Sequence, residues 1–182
     1  MCGDLTCKSL LNNPELEKRV ETIAKEFPNC VCESHPTSDF SPGIVQDAES
    51  LVRIIMSPID IDEASDELKP DVTRDAGSHG MSCVRMQGVN AIECASLGQQ
   101  REDIKREKGH KYQGFVTLSV HDVRLLSEKT QRAYCVYDTA EESEVRHAEV
   151  MCALTEKSKR KEYQVKLWGL MNSAFTIQKI QT

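Results

Sequence analysis

Aromatic side chains are scarce in this chain, with a single Trp and only 5% Phe, Trp and Tyr together. No apolar run approaches the roughly eighteen residues that a membrane span needs, so no membrane association is expected. The start, MCGDLTCKSLLNNPELEKR, lacks the basic stretch, the apolar run and the small-residue cleavage site of a secretory signal. With Met1 in first place, that absence points to the cytoplasm. No unit of 20 to 50 residues repeats and no low-complexity tract occurs, which excludes solenoids and arrays. Nor is there a Walker motif: Gly77-Ser78-His79-Gly80 has the glycines of a phosphate loop but neither its Lys nor its spacing, and reads as a turn before a strand.

What the sequence does contain is enough to fold. Its 182 residues are 39% hydrophobic and 29% charged, the size of one domain and well clear of a disordered composition. The net charge of −6 is uneven, because residues 101–182 carry 15 Lys and Arg against 12 Asp and Glu while the first hundred carry the acidic excess. Neither half has the basicity of a nucleic-acid-binding domain, so nucleic acid is not the expected partner and a local patch is its only route. The patch at hand is Lys157 to Lys161, KSKRK, at the start of a helix where the dipole disfavours cations.

Periodicity places the elements. A helix is expected over residues 14–27, capped by Asn13 and opened by Pro14, with Leu16, Val20, Ile23, Ala24 and Phe27 as one apolar stripe. Residues 29–43 are rich in Pro, Ser and Asp and read as a loop joining a small N-terminal helical segment, residues 1–43, to a core domain, residues 44–182. Strands are expected at LVRIIMS, MSCVRM, FVTLSV, RAYCVYDT and HAEVMCAL, the last two forming a hairpin. A helix should begin at Ala91, capped by Asn90, and a terminal helix should run from Ser158 into the 170s with Tyr163, Leu167, Leu170 and Met171 in its stripe. Strands and helices intermix without strict alternation. That order predicts an α+β fold, a mostly antiparallel sheet packed with an N-terminal and a C-terminal helix.

Two constellations carry chemistry. Cys2, Cys7, Cys30 and Cys32 crowd the first 32 residues, and four thiolates in two close pairs suit a tetrahedral soft-metal site, with zinc as the candidate cofactor. In a reducing compartment these sulfurs stay unpaired with one another, and the other four, Cys83, Cys94, Cys135 and Cys152, read as small core residues. The second constellation is the hairpin: Asp138 ends one strand, His147 begins the next, and Glu149 shares the face of His147. A carboxylate beside an imidazole makes a general base, so Asp138, His147 and Glu149 are the catalytic candidates. Arg53 and Arg85 lie within apolar strands, where a guanidinium must find a partner or water, and are the candidates for binding an anionic substrate.

Three functions remain open from the sequence. The first is a non-enzymatic interaction module that meets a protein partner through the apolar stripes of its terminal helices. The second is an enzyme acting on a phosphate-bearing or nucleotide substrate through the Arg, His and Asp cluster. The third is a metal-stabilised nucleic-acid-binding protein built on the early cysteines.

Overall fold

A computed structural model describes residues 6–13, 15–88 and 90–177, with the side chains of Thr176 and Ile177 outside the description. Among the described residues no helix is long and apolar enough to cross a membrane. The elements in chain order are α1 (Cys7–Leu11), α2 (Arg19–Glu26), β1 (Ser50–Ser57), β2 (Ile61–Asp62), β3 (Glu67–Leu68), β4 (Met81–Met86), α3 (Ala91–Lys105), β5 (Lys111–Ser119), α4 (Val120–Leu125), β6 (Ser127–Glu128), β7 (Gln131–Arg132), β8 (Tyr134–Asp138), β9 (His147–Cys152), α5 (Lys157–Ser173) and β10 (Phe175–Ile177). Short 3-10 helices occupy Pro28–Ser34, Pro70–Gly77 and Arg106–Lys108.

Six strands form one antiparallel sheet in the order β10-β5-β1-β4-β9-β8, so the α+β expectation holds. Strand alternation divides the core. Val52, Ile54 and Met56 of β1, Val84 and Met86 of β4, and Tyr112 and Phe115 of β5 pack with Cys94 of α3. Leu51 and Ile55 belong to the larger cluster, which takes in Leu167 and Met171 of α5. The same cluster contains Leu11, Val20, Ile23, Cys30 and Cys32, so the side chains of the N-terminal segment share a core with the sheet.

The capping signal at Asn90 held, and the structure adds a second cap at Ser119. Asn90 accepts from the Ile92 and Glu93 N–H groups at the start of α3, and Ser119 accepts from Asp122 at the start of α4. The first helix is shorter than expected. Lys18 takes a left-handed backbone (φ 58°), so α2 begins at Arg19 rather than at Pro14, which lies outside the described residues. Glu102 accepts the Tyr112 N–H at 2.8 Å and Arg106 pairs with Asp103.

One irregularity positions the site described next. The β1–β4 ladder covers only Ser50–Val52 against Val84–Met86, while Met81 to Val84 pair with β9. Beyond Val52 the two strands no longer bond through their backbones. Arg53 takes up the loose end, donating from Nη1 to the Ser82 carbonyl at 3.0 Å.

Candidate active site

Ser82 and His147 come from neighbouring strands and share a face, because Val84 lies opposite His147 and Ser82 opposite Glu149 in the β4–β9 ladder. The Ser82 Oγ lies 2.8 Å from His147 Nε2. On the other side of the ring, Nδ1 is 2.9 Å from the Thr139 Oγ1 and 3.1 Å from the Thr139 carbonyl oxygen. A carbonyl can only accept, so Nδ1 carries the proton and Nε2 presents its lone pair to the serine hydroxyl. Hydroxyl, base and a group that orients the base are thus in contact.

Positive charge lies beside the hydroxyl. Arg101 of α3 reaches Ser82 Oγ at 3.5 Å, and Lys105 follows one helical turn later. Burial, then the charge of Arg53, lowers the Arg101 pKa; burial, then Arg101 and Arg53, lowers that of Lys105. Among the described residues neither Arg101 nor Lys105 makes an ion pair. The carboxylate nearest to Arg53 is Asp60, at 3.9 Å, and burial pushes its pKa up. The Arg53 Nε is buried with no hydrogen-bond partner. Such a cluster is short of negative charge, which is the condition of a site that receives an anion.

No protein-family model matches this chain, and no curated protein or solved structure does either. The site therefore rests on its own geometry. His147 also lines a cavity of about 380 Å³ with Arg19, Phe40, Thr139 and Glu149, so His147 and Glu149 do share a surface. Glu149, however, is held by Arg19 in a buried two-pronged pair, Nη1 to Oε1 at 3.1 Å and Nη2 to Oε2 at 2.8 Å. Its oxygens are engaged in structure.

The other hairpin expectation needs correcting. Asp138 pairs in register with Ala148, not His147, so the two side chains leave opposite faces and Thr139 orients the imidazole instead. Asp138 lies 3.4 Å from Arg85. Arg85 in turn grips Glu49 at 2.8 Å through both Nε and Nη2 and donates to the carbonyls of Gly43 and Ile44. Arg85 and Asp138 therefore lock the loop before β1, and of the two expected anion-binding arginines only Arg53 lies at the serine.

The expected thiolate site is also revised. Cys7 is joined to Cys32, and Cys30 to Cys135; Cys2 lies outside the described residues. A sulfur in a disulfide is not a thiolate, and metal binding needs the thiolate. Ligand atoms of Cys30, Glu33 and Cys135 lie within 4.8 Å of one another, a spacing that can hold a metal ion, but both sulfurs are committed to the disulfide. Glu33 is itself held by Arg132 at 2.9 Å and Arg124 at 3.0 Å. Cys83, Cys94 and Cys152 are free and buried, as expected, and burial pushes the Cys83 thiol up to about 11, far from a nucleophile. Ser82, Thr139, Arg101 and Lys105 escaped the sequence reading, because a serine in a strand carries no signature until its partner across the sheet is known.

Proposed function

We propose that this protein is an enzyme acting on a phosphate-bearing substrate, with Ser82 as nucleophile and His147 as its general base. The observation that carries the reading is the 2.8 Å contact of Ser82 Oγ with His147 Nε2, with Thr139 fixing the tautomer that accepts the serine proton. Arg53, Arg101 and Lys105 supply the charge that would bind the phosphate and stabilise negative charge as it develops. In the reaction Ser82 Oγ bonds to phosphorus as its proton passes to Nε2. The ester oxygen leaves with that proton, and water, activated by the same imidazole, then cleaves the phosphoserine.

The interaction-module reading drew on free apolar stripes, but Val20 and Ile23 of α2 and Tyr163, Leu167 and Met171 of α5 are buried within the chain's own core. With Cys7, Cys30 and Cys32 in disulfides, the metal-stabilised nucleic-acid reading has lost its ligands. Two disulfides also favour an oxidising compartment over the expected cytoplasm.

The test is turnover of p-nitrophenyl phosphate and bis(p-nitrophenyl) phosphate by the wild type, Ser82→Ala and His147→Gln. Each variant should lose about 10²- to 10⁴-fold in kcat, and Arg101→Met should chiefly raise KM. No turnover by the wild type, or rates unchanged in Ser82→Ala, would overturn the proposal.

A further inference from the structure

The KSKRK run has a structural counterpart away from the serine site. Lys157, Arg160 and Lys161 of the first turns of α5, with Arg74 of the 3-10 helix Pro70–Gly77, line a pocket of about 240 Å³ to which no acidic residue contributes. Arg74, Lys157 and Lys161 make no ion pair among the described residues, and the carboxylate nearest to Arg160 is that of Glu21, 3.9 Å from Nη1. Arg160 is anchored by a hydrogen bond from Nη2 to the Gly77 carbonyl. Helix α5 has no acidic residue in its first turn, and its N-cap, Glu156, gives no side-chain cap; its carboxylate takes the Ser158 hydroxyl. The helix thus begins with uncapped N–H groups and added positive charge, both unfavourable until an anion arrives.

A second observation comes from the floor of the pocket. Tyr134 is 1% exposed and lines this pocket, and its hydroxyl makes no hydrogen bond to any described residue. The hydroxyl is not among the fully buried unpartnered atoms, so what it meets is the content of the pocket. Arg160 is close enough to favour the ionised phenol, although burial dominates and drives its pKa well up.

We propose that this pocket is a second anion site, separate from Ser82, which takes the phosphate group of a small ligand: the cations neutralise it and the Tyr134 hydroxyl donates to one of its oxygens. The volume falls below the roughly 300 Å³ at which sites for drug-sized ligands begin, which suits a phosphate head rather than a whole nucleotide.

The experiment is calorimetric titration of the full chain with inorganic phosphate, with phosphoserine and with a single-stranded RNA oligonucleotide. Saturable binding of phosphate or phosphoserine is expected. It should weaken about tenfold or more in Lys157→Gln/Lys161→Gln and by about threefold in Tyr134→Phe, while Arg101→Met, which weakens phosphate at the Ser82 site, leaves a saturable phase of this affinity in place. Tighter binding of phosphoserine than of phosphate would identify an esterified ligand, and the reverse a free ion; either supports the site. The exposed lysines and the loss of one oxygen leave the fold intact, which circular dichroism verifies. No saturable binding, equal affinity in the double variant, loss in Arg101→Met instead, or RNA binding that phosphate does not compete would each overturn it.

Discussion

Arg19, Arg53 and Arg85 start from the same problem, since a guanidinium carried into an apolar setting is costly until its N–H groups find acceptors. Arg19 and Arg85 solve it with buried carboxylates, Glu149 and Glu49, and backbone carbonyls. Arg53 solves it only in part: Nη1 donates to the Ser82 carbonyl, Asp60 stands 3.9 Å from Nη2 and Nε has no partner. The sequence signalled Arg53 and Arg85 alike, because both interrupt apolar strands, but could not say which carboxylate would arrive from afar: Glu49 lies 36 residues from Arg85. The Arg85 pair has a pH signature. Burial pushes the Glu49 pKa up, but hydrogen bonds from Arg85 and the Gln46 N–H outweigh it and hold the carboxyl below 4.5. A depressed carboxyl pKa stabilises the fold fully above the unfolded value and loses that contribution as pH falls through the folded one. Glu49→Gln should therefore cost about 2–3 kcal/mol near neutral pH, less than a fully orphaned buried charge because Asp138 still faces Arg85. Urea denaturation should show the difference from wild type shrinking as pH falls below about 4.5; a pH-independent difference would contradict the assignment.

Elements were legible wherever their signals were local. The β4 strand, the Asn90 cap and the stripe of α5 all follow from neighbours in sequence. The failures arose where tertiary contacts decide. Glycine is a poor helix former, yet α3 runs through Gly98 unbroken, and the Tyr112 ring packs where a side chain would sit: a Cβ there would lie 2.2 Å from Tyr112 Cδ2. Helix propensity alone makes Gly98→Ala stabilising by about 1 kcal/mol. The clash reverses the sign, and the variant should be destabilised by about 1–2 kcal/mol net in thermal or urea unfolding. Because α3 also carries Arg101 and Lys105, its displacement should raise the KM of the reaction proposed above.

At the scale of the whole molecule the N-terminal segment is tied to the sheet by the Arg19–Glu149 pair, by a shared core and by the Cys30–Cys135 link, which spans 105 residues, and Cys7–Cys32 closes an overlapping loop with a separation of 25 within the segment. Neither disulfide was legible, since Cys spacing does not reveal pairing. Loop-closure entropy gives the longer link about 4.7 kcal/mol and the shorter about 3.5 kcal/mol. Cys30→Ala/Cys135→Ala should thus lose more stability than Cys7→Ala/Cys32→Ala, and peptide mass mapping without reductant should recover both linked pairs. The reverse order of stabilities would mean that native packing, not chain constraint, sets their worth.

An activated hydroxyl beside an imidazole is the claim on which the function rests, and a fluorophosphonate probe reports it directly. Intact-protein and peptide mass spectrometry should find one phosphonyl adduct, on Ser82, absent from Ser82→Ala and strongly reduced in His147→Gln. An unlabelled Ser82, or labelling indifferent to His147, would contradict the account.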